Sequence, residues 1–210
     1  MDLHNTSKSK KILVLAPFRI WPPHFGASER VYNLIKQLAQ TGEYAISVLY
    51  TDYAQIKDAG LSVEKIKYVT AKGIGPQRRW AQALNPRLIR EGVHLIRSRD
   101  PDVILADHLW SIPNALALHF LTRVPYILDE HNAEFVRFRR MKKRGTPIVR
   151  ILEKVGCQFA QKVLCVSHAD RKHLVDLGVV DEKITVVPNA IDVQKYRPDL
   201  TARARIRKTL

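Results

Sequence analysis

Residues able to do chemistry gather in this sequence just behind its most apolar runs. Asp107 and His108 follow "DVILA", Asp129, Glu130, His131 and Asn132 follow "YIL", and Ser167 and His168 follow "VLCV". Pro188 and Asn189 come after "ITVV". Three of the eight histidines thus stand two or three residues beyond an apolar run. An imidazole can donate or accept a proton near neutral pH, and carboxylates beside it can orient or charge it. Gly26 adds a second kind of chemistry. It closes the loop "FRIWPPHFGAS" where a helical pattern begins, and a helix start offers free N–H groups and a positive dipole end to a phosphate. Glu29 in the first turn repels an anion, so the earlier N–H groups are the expected donors. For "DEHN" two readings stand side by side: a solvated strand-to-helix turn, or the edge of a site. "PPHFGAS" likewise reads as a phosphate loop or as a surface loop.

The elements that must position these residues alternate. Continuous or alternating apolar runs at 11–17, 44–50, 65–70, 101–107, 124–130, 162–167 and 183–189 predict strands. Between them, Val31, Leu34, Ile35 and Leu38 recur at helical spacing, as do Leu116, Leu118 and Leu121, and Ile148, Ile151, Leu152, Val155 and Phe159. A further helix spans about 80–99 with an interruption at Asn85-Pro86, and Ser167 is placed to cap one running from about Ala169 to Gly178. The G-x-G in "TAKGIGPQRR" lacks the third glycine and the context of a dinucleotide fingerprint. Strands alternating with helices imply right-handed crossovers and a mostly parallel sheet covered on both faces: a doubly wound, Rossmann-like α/β domain of about seven strands. It is expected over 11–195, after a disordered basic lead-in at 1–10 and before the start of a linker or second domain at 196–210. In such sheets ligands bind beyond the carboxyl ends of the strands, the edge where "DEHN" falls. That position predicts a His131 exposed to a cleft and dispensable for folding.

Composition narrows the partners. Of 210 residues 46% are apolar, enough for a core, and no run approaches the ~18 apolar residues of a membrane span. The polar N-terminus lacks a secretory signal's apolar centre, so a cytoplasmic location is expected. Cys157 and Cys165 form no CxxC pair, which predicts buried reduced thiols and no metal site. Thirty-five Lys+Arg against 20 Asp+Glu give +15, a surface that attracts phosphates. Much of the excess lies in "RFRRMKKR" (137–144) and "RARIRK" (203–208). No nucleic-acid signature accompanies them, so no specific nucleic-acid partner is expected. The segment 137–144 is expected either to touch an anionic membrane surface peripherally, through its six cations with Phe138 and Met141 inserting, or to be a solvated loop serving solubility.

"PPHFGASERVYNLIKQLAQTGEYAISVLY", "PDVILADHLW", "DEHNAE", "VLCVSHADRKHL" and "ITVVPNAIDVQKYRP" together, in order and spacing, resemble the N-terminal half of a family-4 glycosyltransferase of GT-B fold, over roughly 11–198. The chain departs from that pattern at Phe25-Gly26, where two glycines are usual, and at Ala190 in place of the glycine of "PNG". The resemblance implies retaining transfer of a sugar from a nucleotide sugar to an acceptor hydroxyl, with no cofactor. It implies an acceptor-binding N-terminal domain facing a donor-binding C-terminal domain or subunit. The family's donor-side basic residues and E-x7-E carboxylates have no counterpart in these residues, so the chain alone is expected to fold and not to transfer. By position, Phe25, Gly26 and Ala27 would meet the donor diphosphate. His131 would sit near the reacting centre and orient or hydrogen-bond the sugar or acceptor; it need not be a base, since the departing phosphate is expected to take the acceptor's proton. Asp107, His108, Asn132 and Glu134, with a lipid-linked acceptor among the expected substrates, would line the acceptor side, and Ser167 and Asn189 the rest of the cleft. His94 and His119 lie within helices and read as structural. A non-catalytic binding subunit of the same fold is the alternative.

Overall fold

The computed structural model describes residues 9–52, 61–70, 83–190 and 199–209. "KKILVLA" forms the central strand, β1 (Lys10–Ala16), and its lack of polar alternation is explained by burial from both sides. Leu13 and Leu15 face one apolar cluster, while Ile12, Val14 and Ala16 face the other. β2 (Tyr44–Asp52) and β3 (Lys65–Thr70) extend the sheet on one side. β4 (Val103–Asp107), β5 (Tyr126–Glu130), β6 (Lys162–Cys165) and β7 (Ile184–Val186) extend it on the other. The order is β3-β2-β1-β4-β5-β6-β7 and every pairing is parallel. This is the doubly wound sheet expected, with seven strands. β6 and β7 are shorter than their apolar runs, because Ser167 and Pro188 already belong to the turns beyond them.

Helix α1 (Gly26–Gln40) covers one face through Val31 and Ile35. α2 (Pro86–Arg99), α3 (Ile112–Thr122) and α5 (Thr146–Phe159) cover the other through Leu88, Leu95, Ile112, Leu118, Val149 and Cys157. The short α4 (Glu134–Arg140) and α6 (His168–Asp176) complete that layer, and α7 (Leu200–Thr209) carries the second basic run. Asn85 caps α2 by accepting the N–H groups of Arg87 and Leu88, which explains the interruption at Asn85-Pro86. The expected lead-in over 1–8, the loop 71–79 and the stretch 80–82 lie outside the described residues, while Lys10 is already strand.

The chain leaves β1 toward β2 and β3, then returns to β4 on β1's other side, so the carboxyl ends of β1 and β4 flank the switch in strand order. Layer packing there is close: a Cβ on Gly156 of α5 would lie 2.5–2.8 Å from three side-chain atoms of Ile112 on α3. Gly156→Ala is therefore expected to destabilise the domain by about 1–3 kcal/mol through overpacking, despite alanine's better helix propensity. Chemical denaturation checks this, and a stabilised variant would show that the α3–α5 contact has slack.

Candidate functional site

Strand register creates the central electrostatic problem of the molecule. Asp107 ends β4, Asp129 sits directly beside it on β5, and register partners in a parallel pair point to the same face. Both carboxylates are buried, at 0% and 1% exposure. Two cations resolve the repulsion. The His131 ring places Nε2 2.7 Å from Asp107 Oδ1 and 3.6 Å from Asp129 Oδ2. From α1, Arg30 donates Nε to both Asp129 oxygens at 3.2 and 3.0 Å, and Nη2 to Oδ1 at 2.7 Å.

The charges follow. Burial opposes a charged His131, but Asp107 and Asp129 outweigh it and raise its pKa to about 10. The imidazole is thus a cation at neutral pH. For Asp129 burial works upward, and the nearby His131 cation and the hydrogen bonds from Arg30 more than offset it, holding its carboxyl below the usual range. Burial pushes Asp107 up, and His131 offsets only part of that. Two atoms of the cluster, Asp107 Oδ2 and His131 Nδ1, are buried with no hydrogen-bond partner among the described residues. An unmet donor and an unmet acceptor in the interior are costly, which sets this cluster apart from a fully satisfied structural ion pair. His131 itself is 8% exposed, so the expectation of a histidine open to a cleft is corrected: the register of β4 and β5 sets two carboxylates side by side and the ring packs against both. Asp107, Asp129 and His131 each offer a ligand atom within 4.8 Å of the others, but Arg30 already occupies both oxygens of Asp129 and an imidazolium lies between the carboxylates. The arrangement fits paired cations better than a metal ion.

The other expected residues surround this cluster. His108 takes a positive φ of 69° and its Nδ1 accepts the Trp110 N–H at 3.4 Å, turning its ring toward Glu134 (Nε2–Oε1 3.8 Å). A row of rings, Phe25–Phe18–His108–His131, with centroids 5.0, 6.0 and 5.4 Å apart, joins the start of α1 to the ends of β4 and β5. Phe25 caps α1 in an extended conformation, Gly26 is exposed, and Ala27 is half-buried. A Cβ at Gly26 would meet nothing within 4 Å, so a ligand can come close to the backbone there. Glu134 is buried, taking Arg137 Nε at 2.9 Å and Asn132 Nδ2 at 3.2 Å. Exposed Asn132 and half-buried Ser167 line a cavity of about 290 Å³ with Arg137, Arg140 and His173. Ser167 also caps α6, accepting the Asp170 N–H at 3.1 Å and donating to its carboxylate at 2.5 Å. Asn189 accepts from Arg30 Nη1 at 3.2 Å. His119 bonds Val124 O at 2.9 Å and His94 is exposed on α2, both away from this edge.

Arg30 was missed, although "ASERVYNLIKQL" carries its signal: an arginine at one position of an otherwise apolar helical stripe. Glu130 belongs elsewhere than its neighbours suggest. Strand alternation turns it to the opposite face, toward α5, where both its oxygens are buried without a partner among the described residues. There Glu153 accepts the N–H groups of Glu134 and Phe135 at 2.7 and 2.8 Å, capping α4 from α5.

A family model, Glycosyltransferase Family 4, matches residues 26–195. The chain belongs to glycosyltransferase family 4. Solved structures agree on the fold. Anabaena HepE in complex with UDP and glucose aligns with TM-score 0.64 at 16% identity, over 95% of this chain and 50% of its own. Sucrose-phosphate synthase from Thermosynechococcus elongatus aligns with TM-score 0.72 at 12% identity, over 94% and 52%. A UDP-GlcNAc 2-epimerase from Neisseria meningitidis, bound to UDP-GlcNAc, aligns with TM-score 0.59 at 12% identity, over 84% and 45%. The chain therefore spans about half the length of these proteins and matches the N-terminal half of a GT-B glycosyltransferase. No curated protein sequence matches it significantly.

The buried acids of this family-4 domain predict its pH response. Burial first, then neighbouring carboxylates, raise Glu130 well above 4.5, and burial raises Glu153 to about 8. The folded state keeps these protons where the unfolded chain has lost them, so stability falls as pH rises from about 4.5 toward 8. His131 acts in the same direction: its contribution is complete below 6.5 and fades as pH rises toward 10. Glu130→Gln, which cannot ionise, is expected to flatten the fall in Tm between pH 5 and 8 by several degrees. A slope equal to that of the unsubstituted protein in calorimetric melts would remove Glu130 from this account.

Proposed function

We propose that the chain is the acceptor-binding half of a retaining glycosyltransferase, moving a sugar from a nucleotide sugar to an acceptor hydroxyl with a donor-binding domain facing it. One observation carries the reading: an imidazolium held between two buried carboxylates at the ligand-binding edge, joined by a row of rings to the open N-terminus of α1. Support comes also from HepE, whose structures hold UDP-glucose and UDP. In the transfer the acceptor oxygen bonds to the anomeric carbon as the bond to the diphosphate breaks. The departing phosphate takes the acceptor's proton on the same face. A histidine already protonated at neutral pH cannot serve as the base. Its role is to donate to a sugar or phosphate oxygen as negative charge grows, while Asp107 Oδ2 accepts from a hydroxyl. The first N–H groups of α1 at Gly26 and Ala27 meet the diphosphate.

Transfer measured with a donor-binding half, joined or supplied separately, tests the reading. His131→Gln is expected to lower kcat about 100-fold, with a smaller effect on KM. Rates must be taken well below Tm, since removing one partner of a buried charge pair costs about 3–5 kcal/mol of stability. A His131→Gln enzyme with unchanged kcat would overturn the assignment.

The acceptor is proposed to be lipid-linked and reached from an anionic membrane surface by the basic segment 137–144. What supports this is the exposure of Arg139, Arg140, Met141, Lys142, Lys143 and Arg144 beside the site. Arg137 is committed to Glu134, and Phe138 packs under Lys143 at 4.7 Å and against Trp110, so neither is offered to a bilayer as the sequence suggested. Each remaining cation contributes about 1 kcal/mol near an anionic leaflet. Sedimentation with anionic but not neutral vesicles is expected, abolished by high salt and by neutralising Arg139, Arg140, Lys142, Lys143 and Arg144 together. Equal sedimentation by the fivefold variant would remove the membrane role from this segment.

A further inference from the structure

Arg30 belongs to no strand end and bonds neither Asp107 Oδ2 nor His131 Nδ1, yet the site is built around it. It projects from α1, 7% exposed, and divides its donors among three places. Nε and Nη2 hold Asp129 on β5, at 2.7–3.2 Å. Nη1 donates to Val187 O at 2.8 Å and to Asn189 Oδ1 at 3.2 Å, on the chain leaving β7. One planar group thus ties together the helix whose N-terminus faces the proposed diphosphate, the strand that leads into His131, and the exit from the last strand.

We propose that Arg30 is a positioning residue that fixes the His131 ring by fixing Asp129. The inference rests on the reading of His131 as the reacting-centre residue for its functional meaning, but not for its geometry. Asp129 is shared: its Oδ1 takes the shortest bond from Arg30, and its Oδ2 stands 3.6 Å from His131 Nε2 while also accepting from Arg30 Nε. With both oxygens gripped by a rigid fork, the carboxylate cannot rotate toward the imidazole or away from it. The ring is then held by the short bond to Asp107 on one side and a fixed negative wall on the other. A lysine would restore the charge without the fork, since an ammonium on a flexible stem cannot hold two oxygens and a carbonyl in one plane.

A purely structural ion pair makes a different prediction, because Arg30→Lys would then lower Tm and leave His131 undisturbed. The test uses this chain, labelled with 15N at histidine, and the imidazole N–H signals of His131. In Arg30→Lys the Nε2–H signal is expected to shift and its exchange with water to accelerate about tenfold, while the backbone spectrum remains that of a folded domain. The double variant Arg30→Met, Asp129→Leu covers the case in which a lone substitution fails to fold, since replacing a buried pair by apolar groups is often neutral or stabilising. It too is expected to show a loosened His131, now held by Asp107 alone. Unchanged His131 signals and exchange in a folded Arg30→Lys or in the double variant would overturn the proposal. Because the readout needs no substrate, it can succeed where the transferase reading fails and fail where that reading succeeds.

Discussion

Two carboxylates placed side by side in a dry parallel sheet dictate much of what surrounds them. Asp107 and Asp129 are register partners with no solvent to separate their charges. Left alone, one of them would have to keep its proton, because a buried anion beside another is far costlier than either singly. The molecule brings up two cations instead, a guanidinium from α1 and an imidazole from the residue just past β5. This solution explains why His131 is buried and charged rather than open and titrating.

The same constraint organises the layers. Arg30 can reach Asp129 only if α1 lies across the face that carries Asp107 and Asp129. That places the first turn of α1 near His108 and Phe18, so the anion-friendly end of the helix and the charged cluster become parts of one surface. The opposite face resolves its own acids differently. Among the described residues neither Glu130 nor Glu153 has an ion-pair partner, and burial drives both toward the protonated form. One sheet therefore handles acids in two ways within a single four-residue stretch: by ion pairing where Asp129 points and by neutralisation where Glu130 points.

This division marks what was legible in the sequence. Buried strands announce themselves as unbroken apolar runs, and Ser167 and Asn85 as helix caps, because those signals are local in the chain. The clustering of Asp107, His108 and His131 at one edge was legible too, since parallel sheets bring all carboxyl ends together. The burial of His131 was not, because it depends on the register between β4 and β5, a pairing no local pattern records. Nor was the parting of Asp129 from Glu130, although the two-residue period of a strand requires neighbours to face opposite ways. Arg30 hid in plain view: a long amphipathic side chain in a core stripe is ordinary until its partner, 99 positions away, is known.

A fold shared by a sucrose-phosphate synthase and a UDP-GlcNAc 2-epimerase does not choose a reaction. What such a sheet supplies is general: a crevice at the switch in strand order and a helix terminus suited to phosphate. Chemistry is selected by the charges set into that crevice. In this chain they are balanced before any ligand arrives, with Arg30 and His131 against Asp107 and Asp129. Such a site carries its own cations against its buried acids. In the transfer proposed above, the group that gains charge is the departing diphosphate, which the imidazolium and the start of α1 would meet. Balanced pairs in the resting state, with a donor and an acceptor still unmet, are what a site needs if it is to favour charge that appears only as a bond breaks.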